Sequence, residues 1–516
     1  MNNLNQILLN EIPTLEEAAN GFLNGELTKL EFKKISGGFG VYAQRDGKSF
    51  IVRFRLPGGV LKLKDLKFIY AQAKANGLDY IHLTTRQCIQ LHSLPIDSIC
   101  TIMRQGLEQD LYTRGSGGNY PRNVAMSPLS GVSLDEPFDI TPYAMASNLH
   151  LLQKVYTYKL PRKFKVAFSN TPEDTTHCTV QDMGFIATLE NGRPLFKLYL
   201  GGGLGKDPKC GLLYPSLIEP SDVLYAIEAL LALFVKEGDY ENHHKARVRY
   251  MVDKLGEEGF IEAFSELFAL QKESKDLALS PCTPWETSTT WTPSITHPRL
   301  TQQRQEGYYS VYYQPIGGHL ELDLLEKLIN RLSSLPEAQL RLSMTEGMYI
   351  TNLKEEEATD LLQLTEGSLP ATRLNQSVSC IGVPTCQIGI QNSQDLLQNI
   401  VSYFHIQGCT EDILPSIYIS GCPNSCGTHQ IGELGLMGKK KKVDGKPCDV
   451  FTLYVGGSFH EATTKLGFPV GDLLKEQVPM ALYHLATKVK ESDQDFSTWM
   501  SNNLSHIENI LKEYLV

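Results

Sequence analysis

The sequence predicts a mixed α and β fold of the α+β kind, laid down twice along one chain, and three observations predict it. The first is an internal repeat. IVRFRLPGGVLKLKDL from Ile51 matches SVYYQPIGGHLELDLL from Ser310, so Gly58-Gly59 falls on Gly317-Gly318 at an offset of 259 residues. Downstream, FKLYLGG from Phe196 matches FTLYVGG from Phe451. A period this long is no solenoid; it predicts a duplicated large domain, its copies related by a pseudo-twofold axis. The second observation is strand alternation and the third is helical spacing. In order along the chain, IVRFRLP and YIHLTTRQCIQLHSL read as strands. Between them KLKDLKFIYAQAKANG has helical spacing and ends on Gly77 as its C-terminal cap. SDVLYAIEALLALFVKEG reads as a helix capped by Ser221 or Asp222. Residues 279–301 are rich in Pro, Ser and Thr with little periodicity, and read as a linker between the copies. Helices after Asp472 are expected to pack back on the body.

Length and composition set the class. At ~150 residues per domain, 516 residues make three or four units or fewer large ones. A content of 42% hydrophobic and 21% charged residues is ordinary for a globular chain and excludes fibrous or disordered readings. A net charge of −10 argues against nucleic acid as the main partner, since phosphates demand a basic face. The apolar run from Leu230 to Val235 is broken at Glu228 and Lys236 and falls short of the ~20 residues of a membrane span. The N-terminus is acidic and lacks the basic flank of a signal peptide, so a soluble, cytoplasmic protein with no membrane partner is expected.

Of eleven cysteines, Cys88, Cys100, Cys178, Cys210, Cys282, Cys409 and Cys448 stand singly and read as buried, inert thiols. Cys380 and Cys386 are spaced C-x5-C, and Cys422 and Cys426 are spaced C-x3-C. Three readings stay open for these four. Structural zinc prefers spacings of about two to four residues, which C-x5-C exceeds. Core packing fits poorly with thiols on the Gly- and Pro-rich turn GCPNSCG. An iron–sulfur cluster wants such turns, because backbone N–H groups can then point at sulfur. The spacing favours the cluster.

Cations sharpen the reading. Arg53 and Arg55 lie in RFRLPGG, Arg86 in TTRQ, Arg122 in NYPRNV, and Arg162, Lys163 and Lys165 in LPRKFK. On a strand Lys163 and Lys165 point to one face, where two ammonium groups repel unless an anion lies between them. A solvated basic edge accounts for any one of these residues; so many in an acidic chain suggest an anion pocket. At the repeat offsets Arg55 matches Gln314 and Arg86 matches Thr345, while Lys163 and Lys165 match Ile417 and Ile419, and Cys422 and Cys426 match Phe168 and Pro172. One copy keeps the charges and the other the thiols.

These residues resemble the sirohaem-containing sulfite and nitrite reductases from about Ser49 to the C-terminus: RLPGG, TTRQ-x2-Q-x-H, RNV, LPRKFK, LGGGLG, C-x5-C and GCPNSC occur in the family's order. The resemblance implies, for each copy, a ferredoxin-like half-domain plus a larger sirohaem- and cluster-binding domain. The corresponding division is an N-terminal extension over 1–48, a first half-domain over 49–110, a first sirohaem-binding domain over 111–278, the linker over 279–301, a second half-domain over 302–370 and the cluster-bearing domain over 371–516. It implies that Cys380, Cys386, Cys422 and Cys426 hold a [4Fe–4S] cluster and that Cys426 also ligates the sirohaem iron. Arg55, Arg122, Lys163 and Lys165 match the substrate-binding cations. Thr84, Arg86 and Gln90, with Asn123, Arg162 and Asn424 in the same motifs, match positions that hold the cofactors. The implied reaction is six-electron reduction of a small oxyanion, with electrons waiting on the cluster. Relatives often carry Cys-Pro where this chain has Ser127-Pro128, so a tyrosine–cysteine crosslink is not expected.

Sulfite and nitrite compete as substrate. Sulfite is largely a dianion at neutral pH, and a pocket with both Lys163 and Lys165 suits it, whereas nitrite-preferring relatives commonly have Asn at the second position. Two other classes are weaker. LGGGLGKD fits neither a dinucleotide nor a phosphate-loop fingerprint, since Lys206 and Asp207 stand where Gly and Ser or Thr would be needed. A zinc-stabilised binding module is the remote alternative. No flavin or NADPH motif is visible, so a separate donor protein such as ferredoxin is expected. Lys439 to Lys442 is a basic run that reads first as a solvated turn.

Overall fold

A computed structural model describes residues 3–286, 291–367 and 372–516. Part of the expected linker, residues 287–290, and the expected domain boundary at 370/371 lie outside the described residues. Two N-terminal helices, α1 (Asn3–Leu23) and α2 (Lys29–Ser36), precede β1 (Val41–Ala43), β2 (Phe50–Phe54), β3 (Val60–Leu61), α3 (Leu63–Ala75), β4 (Tyr80–Leu83), β5 (Ile89–Leu94) and α4 (Ile96–Glu108). Next come β6 (Ala125–Met126), α5 (Thr141–Gln153), β7 (Val166–Ser169), β8 (Met183–Glu190), β9 (Arg193–Leu200), β10 (Leu212–Leu213), α6 (Val223–Glu237), α7 (Val248–Leu255) and α8 (Glu257–Ser274). The series then recurs as β11 (Leu300–Gln302), β12 (Tyr309–Tyr313), β13 (His319–Glu321), α9 (Leu322–Leu332), β14 (Gln339–Leu342), β15 (Met348–Leu353), α10 (Glu355–Leu364), β16 (Val378–Ser379), α11 (Ser393–Ile406), β17 (Ile417–Ser420), β18 (Leu434–Val443), β19 (Lys446–Val455) and β20 (Phe468–Leu474). The chain closes with α12 (Val478–Glu491), α13 (Phe496–Asn503) and α14 (Ile507–Ile510).

The chain divides into two units: Met1–Gly203 with Lys209–Tyr313 and Leu320–Thr365, and Leu204–Pro208 with Gln314–His319 and Glu366–Val516. The first holds both small half-domains. Their sheets run β1-β2-β5-β4-β13 and β11-β12-β15-β14-β3, so each half-domain lends a short strand to the other's sheet. Its large domain has the sheet β10-β9-β8-β7-β6, and the second unit repeats the pattern as β16-β17-β18-β19-β20. In both, three parallel strands are followed by a long antiparallel hairpin.

Backbone conformation records the duplication more sharply than side chains do. Gly58, Gly59, Gln87 and Ser93 have φ of 59°, 73°, 52° and 56°, and their partners 259 residues on, Gly317, Gly318, Glu346 and Asn352, have 60°, 73°, 62° and 61°. In the large domains Asp174 and His177 (48°, 56°) correspond to Ser425 and Thr428 (54°, 53°), an offset of 251. The parallel pairs Val166↔Met183 and Ile417↔Leu434 keep that offset. This corrects the sequence match by three residues. Lys163 and Lys165 correspond to Leu414 and Ser416, and Cys422 and Cys426 to Thr171 and Thr175. The apolar strand residues leave the register open, and it is marked only by Ser169 falling on Ser420 and Pro172 on Pro423. The segregation of charges from thiols survives the correction.

Residues 3–48 include helices α1 and α2 and strand β1, and Leu8, Ile12, Leu15, Ala19 and Phe22 of α1 and Phe32 of α2 enter the same core as the half-domain strands. Helix α6 is buried along nearly its whole length, which explains its apolar run. The C-terminal helices pack Leu482, Leu485, Trp499 and Ile507 into the core of the second unit, as expected. No helix among the described residues is long and apolar enough to cross a membrane.

Gly59 is a point of close approach: a Cβ there would stand 2.8 Å from the Leu342 carbonyl oxygen and 2.9 Å from the Gln87 amide. The Gln87 amide is itself saturated, donating to Met126 O and Leu342 O and accepting from Met126 N. Gly59→Ala adds a left-handed penalty to a backbone clash and should cost roughly 2–4 kcal/mol, seen as an earlier urea transition. Gly192→Ala, at φ 76° with nothing within 4 Å, should cost about 1 kcal/mol.

Candidate functional site

The second unit gathers the paired cysteines on two loops. Cys380 and Cys386 follow β16, and Cys422 and Cys426 follow β17, the adjacent parallel strand. Parallel neighbours end on the same edge of a sheet, so the loops leaving them meet there. Backbone and amide donors are aimed at sulfur: Gly421 N–H donates to Cys380 Sγ at 3.2 Å, and Asn424 Nδ2 donates to Cys422 Sγ at 3.4 Å. Burial and then the charge of Cys426 push the Cys380 thiol well above its ordinary value, and the same two causes push Cys422 up to about 11. Ionising these two thiols is thus disfavoured by the other cysteines, a cost that a bound cation would offset. No cysteine is in a disulfide; of the seven single ones Cys88, Cys100 and Cys178 are buried as expected, whereas Cys282, Cys409 and Cys448 are half-buried and Cys210 is exposed. Its turn position explains the difference, since it sits just before the short edge strand β10.

The first unit holds the cations. Residues 163–165 precede β7, where a parallel bridge joins Phe164 to Pro121 and Arg122 N–H donates to Phe164 O at 2.8 Å. Phe164 is buried in the core, so its flanking residues Lys163 and Lys165, both half-buried, share the opposite face. Arg122 Nη1 donates to Ser116 O and Nη2 to Gly118 O, leaving its buried Nε without a partner among the described residues. Arg55 is 2% exposed. It donates to Pro121 O at 2.9 Å, Arg122 O at 3.3 Å and Asn148 Oδ1 at 3.2 Å, and its Nε also has no partner among the described residues. Burial holds Arg55 down at about 10.

Arg86 sits in the same region, with Nε on Asn123 O at 2.9 Å, Nη1 on Gln181 at 3.1 Å and Nη2 on Val166 O at 2.7 Å; burial lowers it to about 10. Thr84 Oγ1 accepts from Cys88 N at 3.2 Å, and Asn123 Nδ2 donates to Leu56 O at 2.7 Å. The Gln90 amide lies against Arg53 Nε and Nη2 at 3.0 and 2.8 Å, and two donors there require that its oxygen be turned toward the arginine. Thr84, Arg86, Gln90 and Asn123 are thus buried and engaged with neighbouring chain. Arg162 is half-buried, reaches Asn119 Oδ1 at 3.4 Å, and is held low by burial and by Arg247 and Arg122.

Three features escaped the sequence reading. Arg247 and Arg249 join the cationic group: Arg247 pairs with both carboxylate oxygens of buried Asp182 at 2.9–3.1 Å, and Arg249 is held low by burial and by Arg247. Their R-x-R spacing at the start of α7 was the available signal. Tyr42 accepts from Gly118 N–H at 3.2 Å; burial would raise its phenol, but Arg122 and Arg53 outweigh it and hold it below its usual value. Arg55, Arg86 and Arg122 thus rest on neutral partners, an arrangement an anion would complete. The Lys439–Lys442 run is strand, not turn.

Residues 42–108 match the family described as nitrite/sulfite reductase ferredoxin-like half domain, and residues 117–272 match the nitrite and sulphite reductase 4Fe-4S domain. The second match is the first copy, whereas the paired thiols lie in the second. The chain is 25% identical over 480 residues to the sulfite reductase [NADPH] hemoprotein beta-component of Nitrobacter hamburgensis, covering 82% of this chain and 80% of that protein. It is 26% identical over 423 residues to the ferredoxin–nitrite reductase of Synechococcus elongatus, covering 79% and 80%. In fold it resembles the Mycobacterium tuberculosis NirA protein, with a TM-score of 0.79 at 21% identity over 99% of this chain and 97% of that one.

Asp182 also accepts from Lys165 N–H at 2.9 Å, so it anchors both the lysine segment and Arg247. Asp182→Asn leaves a buried guanidinium unpaired and should cost roughly 3–5 kcal/mol in urea unfolding. Asp360→Asn, in an exposed pair with Arg331, should stay within about 0.5 kcal/mol.

Proposed function

The chain belongs to the sirohaem and [4Fe–4S] nitrite and sulfite reductase family, and from that premise we propose that this oxidoreductase reduces sulfite to sulfide, drawing electrons from a separate carrier such as ferredoxin. The residues fit the cofactors. Cys380, Cys386, Cys422 and Cys426, set in loops whose N–H groups point at sulfur, suit a cluster, with Cys426 also serving the sirohaem iron. Arg86, Arg162, Gln90, Thr84, Asn123 and Asn424 would serve the cofactors, with the buried arginines against the sirohaem carboxylates. When bound, the two groups supply the electrons of a six-electron reduction.

The protein's own part is electrostatic. Among the described residues the buried Nε–H of Arg122 and of Arg55 has no partner, and by strand alternation Lys163 and Lys165 share one face. Together they would draw in a small oxyanion, hydrogen-bond the oxygens that must leave, and donate protons to them.

The observation that carries the choice of sulfite is the lysine pair flanking buried Phe164. Two ammonium groups on one face suit a dianion better than a monoanion. Reduction of nitrite to ammonia competes, since relatives are named for both. The two are separated by steady-state kinetics with each anion and one reduced donor. Lys165→Asn, in samples matched for haem content, should shift the kcat/KM ratio toward nitrite by roughly ten- to a hundredfold, the loss of one charge-assisted hydrogen bond of about 1.5–3 kcal/mol. An unchanged ratio would assign Lys165 to a cofactor carboxylate and remove the preference for sulfite.

A further inference from the structure

The basic run Lys439–Lys442 lies on β18, and β18 turns into β19 through Asp444 and Gly445, whose φ of 49° and 79° are those of a two-residue hairpin turn. Asp-Gly between strands is the sequence signal for that turn. The register then sorts the lysines by face. Lys439 and Lys441 share Asp472, at 2.7 and 2.9 Å. Lys440 stands opposite Asp449, with the pair at 3.1 Å, and by the period of two Lys442 lies on that same face. Adding exposed Lys446, the hairpin brings five lysines against Asp444, Asp449 and Asp472. The chain as a whole carries −10, so this is a local reversal of sign.

The base of the hairpin is packed on both thiol loops. Gly438 approaches so closely that a Cβ there would stand 2.6 Å from Gln391 Cβ and 2.9 Å from Gly421 O. Gly421 is the residue before Cys422 and donates to Cys380 Sγ. Gln391, in the loop that leaves Cys386, donates from Nε2 to Lys439 O at 2.8 Å and to Asp449 Oδ1 at 2.9 Å. Asp449 is the partner of Lys440, so the Lys440–Lys442 face is the one that lies beside the thiol loops.

We propose that the β18–β19 hairpin, through the face that carries Lys440 and Lys442, is the docking surface for a small acidic one-electron carrier protein. The inference rests on the reading that the four thiols hold the cluster. A carrier repelled by the acidic body is steered to a local positive patch, and this patch adjoins the loops where an electron would be received. Each encounter oxidises the carrier by one electron and reduces the cluster by one, with no atom transferred.

The test compares two donors on the holoenzyme: a small acidic [2Fe–2S] ferredoxin kept reduced, and reduced methyl viologen, a dye that needs no docking site. The variants are Lys440→Glu with Lys442→Glu, Lys446→Glu, and Lys327→Glu on α9 as a control. At low salt the double variant should lower kcat/KM for the ferredoxin about tenfold, the loss shrinking as salt is raised, while activity with the dye stays within twofold. Lys446→Glu should move the same way by less, and Lys327→Glu should change neither. Unchanged ferredoxin kinetics in the double variant would overturn the docking surface. Equal losses with both donors would also overturn it, because the lysines would then act on the site itself. A wild-type enzyme that reduces neither anion with methyl viologen would overturn the functional reading, and the docking surface with it.

Discussion

Arg55, Arg86 and Arg122 are carried out of water onto backbone carbonyls, side-chain amides and a phenol, with no carboxylate among the partners described for them, and this sets the terms for the rest of the first unit. A buried guanidinium costs several kcal/mol unless its N–H groups are satisfied and its charge balanced. The carbonyls meet the first requirement. The second is left open: Arg247 has Asp182, yet burial and mutual repulsion hold Arg122, Arg162 and Arg249 below their ordinary values. Such an arrangement is stable when an anion completes it, and both the cofactor and the substrate implied by the family are anionic.

The second unit poses the mirror problem. Burial and the neighbouring cysteines raise the ionisation cost of Cys380 and Cys422, and the N–H groups presented to their sulfurs lower it only in part. Iron would remove the remainder by making thiolates of them. One duplicated scaffold thus serves two opposite charges. The half-domains repeat almost residue for residue, because turns such as Gly58-Gly59 and Gly317-Gly318 need left-handed backbone at fixed places. The large domains repeat as a strand pattern with a few fixed points, such as the left-handed residues Asp174 and His177 against Ser425 and Thr428, while the residues around them carry lysine and arginine in one copy and cysteine in the other.

What was legible in the sequence follows the same division. The half-domain repeat could be read because glycine punctuates it. Val166–Phe168 and Ile417–Ile419 are apolar and can be laid on one another at several offsets, and only Ser169 with Ser420 and Pro172 with Pro423 mark the offset that the structure has. The thiols and the LPRKFK cations were readable as motifs. Arg247 and Arg249 offered only an R-x-R spacing at a helix start, and Tyr42 is one phenol on a strand; each looks ordinary until other elements surround it. The lysine run was misjudged as a turn because its charge masked the Asp444-Gly445 signal just beyond it.

The central claim is that the four paired thiols hold iron rather than zinc, beside a haem-type iron. Metal analysis with a visible absorption spectrum on anaerobically purified, full-length protein tests it most directly. The account predicts about five irons per chain, four in the cluster and one in the sirohaem, with strong visible bands. A colourless protein carrying stoichiometric zinc would contradict it.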